Sequence, residues 1–254
     1  MSIPKAALVT GAARRIGRAV ALDLAGHGWA VAVHYNRSAK EANAVVAQIR
    51  KAGGNAVALQ ADLSKEVEIE SLMRRAVDAL GPIGCLVNNA SRFQRDEVDS
   101  ADRASWDAHL ETNLRAPFVL IQAMARLLPA DKSGVVVNML DQRVWNLTPH
   151  FLSYTLSKSG LWTLTRTLAL ALAPRIRVNA IGPGPTLANE RQSEAQFRRQ
   201  YESMPLRKPV DVAEICDAVR FLISARSMTG QMIALDSGQH LAWAHPYKSG
   251  DACD

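Results

Sequence analysis

The sequence predicts an α/β protein with a parallel sheet covered by helices on both faces. Three observations point there. Short apolar runs alternate with longer amphipathic ones along the chain. The short runs are rich in β-branched residues and apolar throughout, as strands buried on both faces are. No Pro/Gly/Ser linker and no internal repeat divides the 254 residues, which are enough for one large domain.

The strand candidates are AALVTG (6–11), AVAVHY (30–35), NAVALQAD (55–62), CLVNNA (85–90), GVVVNML (134–140), IRVNAIG (176–182) and GQMIALD (230–236). Between them, helices are expected at about 15–27, 39–53, 65–80, 102–128, 153–173 and 211–224. Ser38, Ser64 and Asp211 stand where side-chain oxygens cap helix starts, and glycines at 28, 53–54 and 81 mark exits. Strand–helix alternation of this kind implies parallel pairing through right-handed crossovers. One long irregular segment remains, PGPTLANERQSEAQFRRQYESMPLRKPV (183–210), and a stretch of that length inside a compact fold reads as a lid.

Composition narrows the function. Apolar content of 48% and charged content of 21% are ordinary for a soluble globular protein. No run reaches the ~20 apolar residues of a membrane helix. The start, MSIPKAALVTG, leads directly into a strand with no signal-peptide pattern. Cys85, Cys216 and Cys253 are widely spaced, which fits reduced thiols of a cytoplasmic protein and neither a disulfide frame nor a zinc site. The six histidines show no metal spacing, so no metal is expected. The net charge of +6 comes from scattered basic residues without interleaved aromatics, which argues against nucleic acid and for an anionic small molecule.

Four local features carry chemistry. In TGAARRIG (10–17), Gly11 permits a tight turn after the first strand, Ala12 and Ala13 stay small, and Gly17 lets the helix pack closely. Such a turn can bring a pyrophosphate to the helix N-terminus. At the end of the second strand, HYNRS (34–38) has no acid to bond a ribose 2′-hydroxyl and offers Arg37 to a 2′-phosphate, which favours NADP(H). Tyr154 and Lys158 lie on one helix face, and a neighbouring ammonium lowers a phenol's pKa from about 10, so the pair could exchange a proton. Asp141 ends the fifth strand, on the side where ligands bind in such sheets. Each feature also has an ordinary structural explanation: a chance turn, a solvated arginine, a surface pair, a loop acid.

Taken together, the residues resemble the short-chain dehydrogenase/reductase family over essentially the whole chain. The matching set is the glycine turn at 10–17, Asp62-Leu63, NNA (88–90), Asn113 in TNLRAP, Tyr154-xxx-Lys158, GPGPT (182–186) and ALDSG (234–238). The resemblance implies a Rossmann-type, doubly wound, seven-stranded sheet of order 3-2-1-4-5-6-7. It implies an NADP(H) site built from Gly11, Arg15, Ile16, Gly17, Tyr35, Asn36, Arg37, Ser38, Asp62, Leu63, Asn88, Asn89, Ala90, Ser91, Tyr154, Lys158, Pro183, Gly184 and Thr186. Tyr154 would be the general acid, Lys158 would lower its pKa and hold ribose hydroxyls, and Asn113 would join a proton relay. A homotetramer is implied as well.

Two departures matter. Arg15 replaces the middle glycine of the turn, and Asp141 replaces the usual serine. With HYNRS and NNASRF, these are similar to the pteridine reductase and dihydromonapterin/dihydrofolate reductase branch. That likeness implies a substrate site of Arg15, Ser91, Phe93, Asp141 and Tyr154, with Phe93 stacking on a flat ring, and reduction of a pterin-like C=N bond. A carbonyl reductase retaining these residues, or an idle NADP(H)-binding sensor, would carry the same motifs. Trp145 and His150 are candidates for the pocket wall. Arg14 has no assigned role, and the parts of lid residues Leu187, Phe197, Tyr201, Met204 and Leu206 stay open.

Overall fold

The computed structural model describes residues 1–188 and 192–241. Seven parallel strands form one sheet in the order β3-β2-β1-β4-β5-β6-β7, as the resemblance implied. They are β1 (Ala6–Val9), β2 (Ala30–Tyr35), β3 (Ala56–Gln60), β4 (Cys85–Asn88), β5 (Gly134–Met139), β6 (Ile176–Pro183) and β7 (Met232–Leu235). Every strand lies inside its predicted span or within a residue of it. The order reverses at β1, whose Ala7 is in register with Val31 of β2 and Cys85 of β4. Beyond the C-terminal ends of β1 and β4 the crossovers diverge and leave a crevice for a ligand.

The strands are apolar throughout because each face has its own core. Ala7, Val9, Val31, Val33, Val135 and Val137 pack toward α1 (Arg15–Gly26), α2 (Ala39–Lys51) and α8 (Val212–Ser224). Ala6, Leu8, Leu86 and Val136 pack toward α3 (Glu66–Leu80), α5 (Ala116–Leu127) and α6 (Leu152–Leu172). At the foot of the sheet two arginines close helix ends whose last carbonyls lack intrahelical partners. Arg175 donates to the carbonyls of Ala125 and Leu128 after α5, and Arg177 donates to those of Leu222, Ile223, Ala225 and Met228 around the end of α8.

Three expectations need correction. The helix expected over 102–128 divides into α4 (Arg103–Leu110), one π-helical turn (Glu111–Arg115) and α5. The lid segment is not irregular throughout, since it contains α7 (Glu194–Glu202), opened by a reciprocal capping box between Ser193 and Gln196. Ser64 is not a cap: its hydroxyl donates to Asp62 and α3 begins at Glu66. Ser38 occupies the cap position of α2 but makes no side-chain capping bond, whereas Asp211 does cap α8. The three exits behave as expected, with Gly28, Gly53 and Gly81 all in the left-handed region. The tail from residue 242, including Cys253, lies outside the described residues.

Candidate active site

The crevice is organised from the first turn upward. Gly11 has φ +62°, and a Cβ there would come within 3.0 Å of the Ala90 backbone. Gly17 is tighter still, its added Cβ meeting the Gly11 carbonyl at 2.3 Å. The turn is held from two sides. His34 is buried, and its Nδ1 accepts the Gly11 N–H at 3.0 Å, so Nε2 carries the proton and donates to the Ala61 carbonyl at 3.0 Å. Burial pushes the His34 pKa down to about 4, which keeps the ring neutral. On the other side Asn89 donates to the Thr10 and Gly11 carbonyls, and the Thr10 hydroxyl accepts the N–H groups of Asn89 and Ala90. Asn89, expected on a cofactor, thus braces the turn. Asn88 likewise turns inward, donating to Asn138 within the sheet.

A cavity of about 530 Å³ opens on one side of the turn. Gly11, Tyr35, Asn36, Arg37, Ser38, Asp62, Leu63, Ala90 and Ser91 line it, so most of the residues expected around the adenosine half of a dinucleotide meet there. Arg14, left without a role by the sequence, lines the same wall and pairs with Glu41 at the start of α2. Asp62 is occupied by the amide and hydroxyl of Ser64, and the Ser64 amide is the main reason its pKa is lowered. The cationic groups lining this cavity are Arg14, Arg37 and Arg92, of which Arg14 and Arg37 lie near the start of α2, a combination suited to a phosphate.

A second cavity, of about 190 Å³, lies beyond the turn and is lined by Arg15, Ile16, Phe93, Asp141, Pro183, Gly184, Thr186, Leu187 and Phe197, among others. Here the second group of predicted residues converges. The Tyr154 hydroxyl donates to Asp141 at 2.9 Å, and Asp141 also accepts the Arg143 amide at 2.9 Å. The Phe93 ring is parallel to Phe151 (4.6 Å between centroids) and meets Tyr154 edge-on at 4.7 Å. Arg143 covers the Phe151 ring at 4.6 Å, adding a cation–π contact.

The Tyr–Lys relationship differs from the expectation. Burial first, then the neighbouring Asp141 carboxylate, push the Tyr154 pKa well above the ordinary phenol range. Lys158 does not reach the hydroxyl. Its ammonium stands 5.7 Å from the ring centre and donates to the Met139 carbonyl at 2.8 Å, while burial lowers its pKa to about 8. The phenol is accordingly a firmly protonated donor aimed at a carboxylate. Asn113, in the π-helical turn, donates to the Arg92 carbonyl and to Ser157 and accepts the Arg92 amide, so it fixes the loop after β4.

Arg15 has φ +53°, the left-handed backbone that glycine would adopt without strain. Its guanidinium donates to the carbonyls of Leu187 and Ala188, in the segment after β6, at 2.9 and 2.7 Å. Of the lid residues left open, Leu187 and Phe197 line the cavity, whereas Tyr201, Met204 and Leu206 do not. Neither Trp145 nor His150 lines it: Trp145 packs against Trp162 and His240, and His150 pairs with Glu97. Of the lining residues that the sequence did not single out, Gln142 and Arg143 directly follow Asp141 in the chain, while Gln192, Gln200 and Gln239 come from more distant segments. No described helix is long and apolar enough to cross a membrane.

Comparison with known proteins agrees with this geometry. Residues 11–240 match the enoyl-(acyl carrier protein) reductase family. The chain is 34% identical over 242 residues to a 3-oxoacyl-[acyl-carrier-protein] reductase, FabG, of Staphylococcus epidermidis, covering 93% of this chain and 99% of that one. It is 53% identical to the solved FolM alternative dihydrofolate reductase 1 from Brucella canis, complexed with NADP, at a TM-score of 0.93 and covering 97% and 98% of the two chains. A short-chain dehydrogenase from Burkholderia cenocepacia in complex with NADP superposes with a TM-score of 0.88 at 33% identity, covering 95% of this chain and all (100%) of that one. Sheet order, glycine turn, Tyr–Lys helix and these similarities together show that the chain belongs to the short-chain dehydrogenase/reductase family and is one of its oxidoreductases.

Proposed function

We propose that this oxidoreductase uses NADPH to reduce a C=N bond of a pterin or a dihydrofolate-like ring. The observation that carries the reading is the Tyr154–Asp141 hydrogen bond, with the Tyr154 ring edge-on to Phe93 and with Asp141 and Phe93 both lining the smaller cavity. A serine at position 141 could only orient a carbonyl oxygen. A carboxylate beside a protonated phenol can also pass a proton to a ring nitrogen through water. The similarity to a FolM dihydrofolate reductase, at 53% identity, supports the same substrate class over the 3-oxoacyl reductases matched at 34%.

The donor set of the larger cavity fits NADPH: Arg14, Arg37 and Ser38 would hold a 2′-phosphate, and Asp62 and Leu63 would flank the adenine. When bound, NADPH supplies the hydride. The chain does the rest. Gly11 and the start of α1 would receive the pyrophosphate, Lys158 would hold ribose hydroxyls, Phe93 would support the flat ring, and Tyr154 would give up its proton to the ring nitrogen beside Asp141.

The test follows nicotinamide absorbance with purified protein in parallel mixtures of NADPH or NADH with dihydrobiopterin, dihydrofolate and a panel of ketones. Oxidation of NADPH by a dihydropteridine, with NADH far poorer, is expected. Turnover of ketones alone would overturn the pterin reading, and equal use of NADH would overturn the 2′-phosphate assignment.

A further inference from the structure

The ring that would carry the substrate stands on a loop with no regular secondary structure, yet that loop is held on both sides of Phe93. Before it, the Arg92 amide donates to Asn113 at 2.8 Å. After it, the Gln94 amide donates to Nε2 of His109 at 3.1 Å. Asn113 and His109 project from the same helical stretch, one turn apart. Because Nε2 accepts, the His109 proton sits on Nδ1, which donates to the Ser153 hydroxyl at 2.7 Å. Ser153 in turn donates its O–H and, at 3.1 Å, its N–H to the two carboxylate oxygens of Asp96. Asp96 takes a third bond from the Ser105 hydroxyl at 3.0 Å, and its carbonyl accepts the Leu152 amide at 3.2 Å.

This chain of bonds is buried, with His109 and Ser153 at 0% and Asp96 at 2% exposure. His109, Ser153 and Asp96 line neither of the two cavities described above; the Tyr154 hydroxyl bonds Asp141 instead, while the His109 ring meets the Tyr154 ring edge-on at 6.1 Å. Burial lowers the His109 pKa, more than the Asp96 carboxylate raises it, consistent with a neutral ring that keeps this donor–acceptor polarity. What the chain does connect is geometric. Gln94 adjoins Phe93, and Ser153 adjoins Tyr154. The spacing between the aromatic support and the proton donor is therefore set through His109.

We propose that His109 is a positioning residue that fixes the Phe93 ring against Tyr154, through Gln94 on one side and Ser153–Asp96 on the other, and so determines affinity for flat heterocyclic substrates. The proposal rests on the pterin reading above. A linkage that only stabilised the fold would affect the protein with or without substrate. A positioning role instead makes the contributions of His109 and Phe93 to substrate binding one shared quantity.

A double-mutant cycle on the full chain tests this: wild type, His109→Leu, Phe93→Ala and the double variant, with kcat and KM for dihydrobiopterin and KM for NADPH. Each single change is expected to raise the dihydrobiopterin KM about tenfold with the NADPH KM within about twofold, and the double variant to be little worse than Phe93→Ala alone. His109→Gln, which can still accept from Gln94, is expected to recover much of the loss. Additive effects of the two substitutions would overturn the proposal. So would a parallel loss of NADPH affinity in both His109→Leu and His109→Gln, since that marks a purely structural residue. A wild-type protein that reduces no dihydropteridine would instead overturn the function reading, and this inference with it. Additivity in an enzyme that does reduce dihydrobiopterin would defeat the inference alone.

Discussion

Lys158 shows how one residue's surroundings change what its motif implies. In a solvated helix its ammonium would stay charged to beyond pH 10. Here burial brings the pKa down to about 8, with the Met139 carbonyl as its hydrogen-bond acceptor. An amine is charged below its pKa, so the cation that would hold ribose hydroxyls is present at neutral pH and lost above about 8. With saturating dihydrobiopterin, kcat/KM for NADPH is expected to fall as pH rises through about 8, roughly tenfold per unit beyond it. A profile that stays flat to about pH 9.5 would exclude that role. Tyr154 moves oppositely, because the same burial favours its neutral, protonated form and Asp141 reinforces the preference. The motif Tyr-xxx-Lys was legible in the sequence. The direction of its electrostatics was not, since that depends on an acid thirteen residues upstream and on a carbonyl at the end of β5.

Among the elements, the strands were the most legible, because a strand covered on both faces leaves an uninterrupted apolar run with sharp edges. Helix α7, in the segment expected to form a lid, was not. Its sequence, EAQFRRQYE, has no buried residue, and Phe197 and Tyr201, one turn apart, are its one aromatic pair, too little to betray a helical period. Its one local signal was the Ser193–Gln196 capping box. The π-helical turn around Asn113 was equally hidden, since one extra residue in a turn alters hydrogen bonding without altering composition. Nor could spacing reveal the link from His109 to Ser153 and Asp96, which joins three separate segments of the chain. At this scale Arg15 ties two elements together, reaching from the start of α1 to the carbonyls of Leu187 and Ala188 after β6. Replacing it by glycine removes the tie and relieves a left-handed backbone costing ~1 kcal/mol. Arg15→Gly is expected to hasten chymotrypsin cleavage within 183–210 several-fold while the melting temperature stays level or rises slightly. Unchanged cleavage would show that the guanidinium does not restrain the lid.

For the whole molecule, His34 links the glycine turn after β1 to the end of β3 and so couples the cofactor crevice to global stability. Its folded pKa of about 4 lies below the value of ~6.5 of an unfolded histidine. Between those values the unfolded chain binds a proton that the folded chain refuses, so stability declines as pH falls through that window and is fully retained above it. The decline amounts to the order of 3 kcal/mol. Urea unfolding of wild type and His34→Gln at pH 7 and about 4.5 measures it: the advantage of the wild type should shrink at the lower pH. A difference between the two proteins that does not vary with pH would mean that His34 titrates with the same pKa in the folded and unfolded chains.

The arginines at the foot of the sheet alter the meaning of the chain's positive balance. Arg175 and Arg177 belong to the thirty basic residues behind the net charge of +6, yet their guanidinium groups are turned toward the carbonyl ends of α5 and α8. Those ends carry the negative pole of the helix dipole, about half a charge, which offsets part of each arginine's field at close range. Near those carbonyls an anion meets a weaker attraction than two bare guanidinium groups would give. At the opposite end of the sheet Arg37, and Arg14 in its pair with Glu41, border the larger cavity. The protein is polar along its strands in a functional sense, with cations serving as masonry at one end and as bait at the other.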